Sequence, residues 1–419
     1  MKPLVITVIG GGSTYTPELV DGFIRYCGEL PVASIRLQDT SAERLDIVGG
    51  LAKRMVKKVG IPLITTTDRA EALDGADFVI TQLRVGGMAA RALDERIPLK
   101  YGIIGQETTG PGGFAKALRT IPVVLDIARD IVRLAPQAWL INFTNPSGVV
   151  TEALLRHTPV KAIGLCNVPI NMQRNIANVL NVRPEQVELD YVGLNHLSWA
   201  RRVWVDGEDV TKTLMQNPEI RGIYHLSDAL LEKIGMIPNY YLRYYLEHEQ
   251  AVQEEQNAEQ SRAEYLQKVE ADLLEMYQNP ALDEKPALLN ERGGAFYSTA
   301  AVELIRSIAQ DRREVHIVNV QNGLALPDLP PESVVEVPAV ISKSGPKPLT
   351  CGTMPPSIRG LIQAVKAYEE LTIEAAVSGS DSTAQLALMS HPLVRSWETA
   401  GALWADLKAA HRVYLPQFE

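Results

Sequence analysis

Cysteine, basic residues and long apolar runs are all scarce in this chain of 419 residues. Its three cysteines, Cys27, Cys166 and Cys351, leave one unpaired under any intramolecular scheme, which indicates a reducing compartment rather than a disulfide framework. Lys and Arg number 41 against 50 Asp and Glu, and the net charge of −9 argues against a nucleic-acid-binding surface. No run of about eighteen apolar residues is present, so we predict no membrane span. Too few residues precede the apolar run Leu4–Ile9 to form a signal peptide, which favours a cytoplasmic protein.

The spacing of apolar segments indicates an α/β architecture in the first third of the chain. Leu4–Ile9 and Ser34–Gln38 have the pattern of buried strands, and Thr16–Cys27 and Ala42–Val59 that of helices. This alternation predicts a parallel sheet with helices on both faces. We predict further strands at Phe78–Gln82, Trp139–Phe143 and Ala162–Leu165, and a crossover helix at Ile121–Leu134.

A glycine-rich turn between the first strand and the first helix predicts a dinucleotide site. Gly10 and Gly12 allow a tight turn and the close approach of a pyrophosphate, and Ser13 and Thr14 continue the loop. Asp39 ends the second strand, where a carboxylate accepts hydrogen bonds from an adenine ribose and so favours NAD over NADP. Two alternatives remain: a purely structural glycine turn, and Asp39 as the cap of the following helix.

The pattern of apolar residues changes after about residue 170. Two predicted strands, Val187–Val192 and Ser198–Val205, bracket Asn195 and His196. Residues 247–275 are rich in Glu, Gln, Ala and Leu, which predicts one solvent-facing helix. A strand at Ser333–Ile341 and a helix at Ile358–Val377 follow. We therefore predict a dinucleotide-binding Rossmann domain over residues 1–170 and an α+β domain over residues 171–419 for substrate, metal and oligomerisation.

Cys166 and His196 are candidate metal ligands. Cys166 follows a predicted strand, so it would face the crevice at the carboxyl end of the sheet. A thiolate and an imidazole suit a divalent metal, and two protein ligands leave coordination positions open for a substrate. The alternative is an inert buried cysteine and a hydrogen-bonded core histidine. Asn145 lies in a loop after another strand, where its amide would reach nucleotide or substrate, unless the loop is only a turn.

Other polar segments are candidates for an anion site and a base. Arg84 ends a buried strand and Arg91 follows it, Glu107 lies in a loop dense in glycine, and Arg292 precedes two glycines. Arginine suits phosphate because its planar fork donates two parallel hydrogen bonds, although each arginine alone could be a surface charge. Four tyrosines fall within residues 240–245, and one near a metal and arginines could have a lowered pKa and act as a base.

Together these motifs resemble glycoside hydrolase family 4. They are the Gly10 loop, the segments around Arg84, Arg91 and Glu107, Asn145-Pro146, Gly-Leu-Cys166-Asn167-Val-Pro and Gly-Leu-Asn195-His196. The resemblance implies a fold like that of lactate and malate dehydrogenases, bound NAD, and a divalent metal, usually manganese. It also implies cleavage of 6-phosphoglycosides by oxidation at C3, proton removal at C2, elimination, water addition and re-reduction. Such NAD-dependent members stand outside the two-carboxylate mechanism of other glycosidases.

The resemblance also implies residue roles. Cys166 and His196 match the metal ligands, and Tyr241 matches the base. The NAD contacts it implies are Gly10, Gly12, Ser13, Thr14, Asp39 and Arg84. For the substrate, the implied contacts are Arg91 and Arg292 near the 6-phosphate, Asn145 and Asn167 on sugar hydroxyls, and Glu107 without an assigned role.

The residue after the metal cysteine bears on the anomer. In this family α-specific phosphoglucosidases tend to have Asp there, whereas this chain has Asn167, which favours a β-linked substrate such as cellobiose 6-phosphate. The alternatives are an α-phosphoglucosidase or α-galacturonidase of the same family, a hydroxy-acid dehydrogenase and a dinucleotide-sensing regulator. The resemblance suggests a homodimer or homotetramer, and we predict neither a nucleic-acid nor a membrane partner.

Overall fold

The computed structural model describes residues 2–224, 226–293 and 296–419. A sheet of nine strands in the order β13-β12-β11-β6-β5-β4-β1-β2-β3 forms its centre. The parallel strands are β1 Leu4–Ile9, β2 Val32–Gln38, β3 Leu63–Thr66, β4 Phe78–Thr81, β5 Trp139–Asn142 and β6 Lys161–Gly164. Their order, 3-2-1-4-5-6, is that of the dinucleotide-binding Rossmann fold, so the predicted fold class is confirmed for this part. The strands predicted from the sequence are all present, with ends shifted by one or two residues, and β3 is additional.

Seven helices connect and cover these strands. They are α1 Thr16–Arg25, α2 Ala42–Lys57, α3 Arg69–Leu73, α4 Gly87–Leu99, α5 Gly110–Leu134, α6 Ser147–His157 and α7 Val168–Leu180. The predicted crossover helix at Ile121–Leu134 is only the second half of α5, which starts eleven residues earlier at Gly110. Three of the glycines that the sequence suggested as a loop, Gly110, Gly112 and Gly113, therefore lie in its first turn.

Strands from the second half of the chain complete the same sheet. β11 Glu314–Gln321 pairs with β6, β12 Val334–Ser342 with β11, and β13 Gly345–Pro348 with β12, all antiparallel. The strand predicted at Ser333–Ile341 corresponds to β12. The boundary at residue 170 stays a prediction, and the two predicted domains share one sheet across it.

A second, antiparallel sheet carries the predicted metal-binding histidine. β7 Val187–Leu194 and β8 Leu197–Val205 form a hairpin, and β9 Glu208–Asp209 and β10 Ile237–Pro238 pair with β8. The two strands predicted to bracket Asn195 and His196 are thus confirmed. His196 lies in the hairpin turn with φ of 63°, a left-handed conformation that is uncommon for residues other than glycine.

Helices complete the second half. They are α8 Thr211–Gln216, α9 Pro218–Tyr224, α10 Asp228–Ile234, α11 Arg243–Leu246, α12 His248–Asn257, α13 Arg262–Tyr277, α14 Tyr297–Gln310, α15 Pro356–Ser378, α16 Asp381–Ser390 and α17 Trp397–His411, with 3-10 turns at Pro184–Gln186, Tyr240–Leu242, Ala287–Arg292, Arg412–Tyr414 and Pro416–Phe418. Among the described residues, no helix is long and apolar enough to span a membrane.

The single solvent-facing helix predicted over residues 247–275 is wrong in two respects. The segment forms two helices, α12 and α13, because Ser261 caps a new helix in a reciprocal capping box with Glu264. In addition, α13 packs against α2 and α4 through a buried face that includes Leu266 and Leu273. Its polar composition concealed an apolar stripe at helical spacing.

Candidate functional site

A cavity of about 1090 Å³ lies at the carboxyl ends of the parallel strands, where ligands bind in folds of this kind. We call it the main cavity. The predicted site residues in its wall are Gly10, Ser13, Asp39, Arg84, Arg91, Glu107, Asn145, Asn167, His196, Tyr241 and Arg292. The other three, Gly12, Thr14 and Cys166, are buried close behind it. The structure therefore gathers the predicted cofactor, metal and substrate residues around one space, although their individual roles remain predictions.

The dinucleotide loop has the close packing that its glycines permit. Gly10 has φ of 85°, and a Cβ atom there would lie 3.0 Å from the Gln82 carbonyl oxygen. The Gly12 N–H donates to Asp39 Oδ2 at 2.9 Å, and a Cβ on Gly12 would lie 2.9 Å from the same oxygen. Ser41, and not Asp39, caps α2. Asp39 is thus fixed against the loop at the cavity wall, which fits a ribose contact better than the capping alternative.

Thr14 and Arg292 are held together on the same side of the cavity. Thr14 is fully buried, and its hydroxyl accepts a hydrogen bond of 2.7 Å from Arg292 Nε. The Arg292 guanidinium also pairs with Glu270 at 2.7 Å. Burial lowers the pKa of Arg292. The contact with Thr14 places Arg292 beside the dinucleotide loop. In the predicted phosphate site, the Arg292 guanidinium would therefore interact with Glu270 and with the phosphate at the same time.

Four charged side chains form the strongest electrostatic feature of the cavity. Glu107 contacts Arg84, lies 3.0 Å from Arg91 Nη1 and accepts a 2.8 Å hydrogen bond from Lys116 Nζ. Burial would raise the pKa of Glu107, but the charges of Arg84, Arg91 and Lys116 outweigh it and hold that pKa well below its usual value. Burial, followed by the charge of Arg84, lowers the pKa of Lys116 to about 7. Arg91 also pairs with Glu95 at 2.7 Å, but the wall of the main cavity as a whole carries more basic than acidic side chains, which suits an anionic ligand.

Lys116 escaped the sequence analysis. It lies in the second turn of α5, behind the glycine-dense segment, and is only 3% exposed. The sequence feature that could have identified it is a lysine among the apolar residues of a helix that follows a glycine-dense loop. Such a residue is rarely buried unless it has a partner or a function.

The predicted metal ligands and base lie against one another. The rings of His196 and Tyr241 stack with centroids 3.9 Å apart and an interplanar angle of 9°. His196 Nδ1 is 2.9 Å from the Thr108 hydroxyl, so a metal would fall to Nε2. Cys166 is 3% exposed, burial raises the pKa of its thiol, and the next residue, Asn167, lines the main cavity together with His196 and Tyr241. These contacts bring the thiol, the imidazole and the phenol to one corner of the main cavity.

The donor set at this corner fits a metal that also binds a ligand. Cys166 and His196 supply a soft and a borderline donor, and the described residues contain no group of three or more His, Cys, Asp and Glu that could enclose an ion. The amide oxygen of Asn145 is buried and has no hydrogen-bond partner within the described ranges. This oxygen is therefore available to bind a metal or to accept a hydrogen bond from a hydroxyl group.

Tyr241 is enclosed by other rings. From the groups of the protein alone, burial and then the neighbouring Tyr240 raise the pKa of Tyr241 well above 10.0, and the lowered pKa expected beside a metal and arginines stays a prediction. Its backbone is held by Asn239, whose Oδ1 accepts the Tyr241 N–H at 3.0 Å and whose Nδ2 donates to Ser198. The sequence showed the arginines but not that the ring would be enclosed by other tyrosines and His196.

A buried carboxylate behind the hairpin turn was also missed. Glu336 on β12 is 0% exposed and accepts hydrogen bonds from Asn195 Nδ2 at 3.1 Å, Asn319 Nδ2 at 3.0 Å and the Tyr191 hydroxyl at 3.0 Å. Asn195 in turn accepts the N–H of Ser147 at the start of α6. Burial raises the pKa of Glu336 to about 7. Glu336 thus fixes the residue next to His196, although about 140 residues separate the two in sequence.

Comparison with known proteins places this arrangement in a family. The profile of the Family 4 glycosyl hydrolases matches residues 5–182, and that of their C-terminal domain matches residues 191–394. Over 434 residues, all of this chain and 98% of the relative, the chain is 48% identical to a probable 6-phospho-β-glucosidase of Bacillus subtilis (strain 168). Over 437 residues, all of this chain and 97% of the relative, it is 41% identical to a 6-phospho-β-glucosidase of Escherichia coli (strain K12). A maltose-6'-phosphate glucosidase of Bacillus subtilis (strain 168) is 30% identical over all of this chain and 98% of its own.

Solved structures agree with this placement. A Thermotoga maritima 6-phospho-β-glucosidase with manganese, NAD+ and glucose 6-phosphate superposes with a TM-score of 0.92 at 39% identity, over 98% of this chain and 99% of the other. A lactate dehydrogenase of Eimeria maxima, 17% identical, has a TM-score of 0.54 over 91% of this chain and 98% of the other, which shows the shared fold alone. The chain belongs to glycoside hydrolase family 4.

Proposed function

We propose that this protein hydrolyses 6-phospho-β-glucosides with the help of NAD and a divalent metal, manganese in the first instance. The observation that carries the proposal is the main cavity, whose wall holds a dinucleotide loop, the His196 imidazole with the Cys166 thiol buried behind it, and an excess of cations. The two relatives that are 48% and 41% identical are described as acting on 6-phospho-β-glucosides. An α-linked substrate is less well supported, since the relative described as a maltose-6'-phosphate glucosidase is 30% identical.

The residues of the chain divide the work as follows. Gly10, Gly12 and Asp39 would hold the dinucleotide, with Ser13, Thr14 and Arg84 completing that end of the cavity. When bound, the cofactor would supply hydride acceptance and return at sugar C3, and the metal would supply a Lewis acid that polarises sugar oxygens. Cys166 and His196 would ligate that metal. No net oxidation results, so NADH does not accumulate.

Proton transfer and substrate orientation fall to other side chains. Tyr241, stacked on His196, would take the proton from sugar C2. Asn145, with its unpaired amide oxygen, and Asn167 would contact the sugar hydroxyls. Arg91 and Arg292 would contact the 6-phosphate. Glu107 would hold Arg84, Arg91 and Lys116 in place, because the cations would otherwise repel one another.

The test is hydrolysis of p-nitrophenyl β-glucoside 6-phosphate with NAD+, Mn2+ and a reductant, omitting each in turn. We expect turnover to require both cofactors and the 6-phosphate, to fail with the α-anomer and to produce no NADH. Cys166→Ser should abolish activity, and added Mn2+ should not restore it. Cys351 is half-buried and lies outside the main cavity, so Cys351→Ser should leave both the activity and its dependence on Mn2+ intact. Full activity in excess chelator would refute the role of the metal.

Two further properties are proposals. Exposed apolar side chains lie on the last three α-helices, including Val377, Leu386, Met389 and Trp397, and we propose that this part of the surface associates into a homodimer or homotetramer. Light scattering after size exclusion gives the mass directly.

A cytoplasmic location follows from the unpaired cysteines and agrees with a thiolate ligand, which needs reducing conditions.

A further inference from the structure

A smaller cavity of about 290 Å³ adjoins the main cavity, and we call it the side cavity. One face of α7 forms its floor through Val168, Met172 and Asn175, which follow the spacing of one helical face. Its rim carries two half-exposed aromatic rings, Tyr240 at 36% and Phe296 at 38%. A floor of apolar and amide side chains with half-exposed aromatic rings at the mouth is typical of a site for a small ring-shaped ligand.

The side cavity is joined to the proposed reaction centre by its walls. Tyr240 lines both cavities. Asn167 lines the main cavity and the next residue, Val168, lines the side cavity, immediately after the proposed metal ligand Cys166. A sugar held at Asn167 and Tyr241 would therefore have the side cavity as its neighbour across Tyr240.

An unsatisfied polar group lies in the wall of the side cavity. Tyr224 on α9 is 2% exposed, and its hydroxyl has no hydrogen-bond partner in the part of the chain that the structure describes. A buried hydroxyl without a partner is costly, and such groups in native proteins call for an explanation. The amides of Asn171 and Asn175 line the same space, so a ligand bearing hydroxyl groups would find several partners.

We propose that the side cavity is the subsite for the leaving group of the substrate, and that it takes an uncharged six-membered ring bearing hydroxyl groups. This rests on the proposed function. None of the described side chains that line the cavity is charged, which disfavours an ionic group. Its volume lies at the lower end of the range for small-molecule sites and fits one ring. Arg174 backs Phe296 at 4.2 Å and steadies the ring that would pack against the leaving group.

Three 6-phosphorylated substrates that share the glucosyl unit test the proposal. Cellobiose 6-phosphate and arbutin 6-phosphate carry a hexose and a phenol ring, and methyl β-glucoside 6-phosphate carries neither. We expect Tyr224→Phe and Phe296→Ala each to lower kcat/KM about 3- to 10-fold on the ring substrates and to leave the methyl substrate within about twofold. Because each variant is compared with wild type on the same substrate, intrinsic leaving-group reactivity cancels.

Stability measurements and matched variants separate binding from folding. The Tm of Tyr224→Phe should equal or exceed that of wild type, because the lost hydroxyl has no protein partner among the described residues. Neither Tyr101 nor Met276 lines either cavity, so Tyr101→Phe and Met276→Ala serve as controls. The exposed fraction of Met276, 39%, is similar to that of Phe296. Both controls should leave all three substrates unchanged.

The outcomes are distinct. A selective loss on cellobiose 6-phosphate assigns a hexose, a selective loss on arbutin 6-phosphate assigns a phenol, and either supports the subsite. Equal losses on all three substrates, or none, overturn it while leaving the proposed function standing. A change in molar mass of Phe296→Ala without a change in substrate ratio also overturns it, because the cavity would then be covered by a second copy. A wild-type protein inactive on the methyl substrate and on both ring substrates overturns the proposed function and the subsite together.

Discussion

Replacing Lys116 by arginine should remove a pH dependence from phosphoglucoside cleavage. Lys116 lines the main cavity and donates to Glu107 at 2.8 Å. Burial and the charge of Arg84 lower its pKa from 10.5 to about 7. Below that pH the ammonium adds a third cation to the cavity, and above it the amine is neutral. Since the proposed substrate carries a phosphate, kcat/KM should fall as the pH rises through about 7.

The size of the fall follows from the pKa of Lys116. Two pH units above a pKa of about 7, roughly 1% of the side chains remain protonated, so the contribution of the charge falls tenfold per unit. A hydrogen bond to a charged group contributes about 1.5 to 3 kcal/mol, so the loss levels off at about 10- to 150-fold. Arginine stays charged across this range, and Lys116→Arg should hold the high plateau. Lys116→Met should lie near the low plateau at every pH.

The assay is kcat/KM for p-nitrophenyl β-glucoside 6-phosphate between pH 6 and 9, with NAD+ and Mn2+ saturating at each pH. Other ionisations of the site affect all variants, so the informative quantity is the ratio of wild type to Lys116→Arg. Lys100→Arg, at an exposed position outside the main cavity, is the control. If wild type and Lys116→Arg run parallel over the whole range, the ammonium does not contribute to phosphate binding and the reasoning fails.

Three further changes probe the dinucleotide loop, the carboxylate behind the hairpin turn and the core. Gly12→Ala should weaken NAD+ binding at least tenfold in calorimetry, since its Cβ would lie 2.9 Å from Asp39 Oδ2; unchanged affinity would show that the loop can shift freely. Glu336→Gln keeps the shape but removes the charge beside Asn195, so Mn2+ affinity should fall about tenfold, whereas equal affinity by spin resonance titration would remove its positioning role. Lys366→Ala should cost about 3 to 5 kcal/mol of unfolding free energy in urea titrations, because it leaves the buried Glu369 without its ion-pair partner and Glu152 with Arg156 alone; a loss below 1 kcal/mol would contradict this.

Sequence reasoning was most successful where chemistry lies close to a strand end. The turn after β1 and the loop after β6 are local, and the fold carries their residues to one edge of the sheet whatever the rest of the chain does. The hairpin with His196 was equally legible, because two alternating strands flanked it.

Contacts between segments that lie far apart in the chain could not be predicted from the sequence. Glu336 reads as one polar residue in an apolar strand, and only the pairing of β12 in the main sheet brings it to Asn195. Lys116 precedes the helix predicted at Ile121–Leu134, and nothing in the sequence places it beside Glu107. The stacking of Tyr241 on His196 was missed for the same reason, because the hairpin turn and the tyrosine segment meet only in the folded chain.

The pairing of β11 with β6 has a consequence for how the protein is made. Until residues 314–321 leave the ribosome, β6 has no neighbour on one side, and its open edge offers backbone groups to any other strand. Cys166 lies two residues beyond that strand, so the nascent chain exposes its proposed metal ligand together with an unpaired strand edge. A truncated chain ending near residue 300 should therefore aggregate during synthesis rather than accumulate as a stable dinucleotide-binding fragment. The thiol corner becomes protected only when the last strands close the sheet.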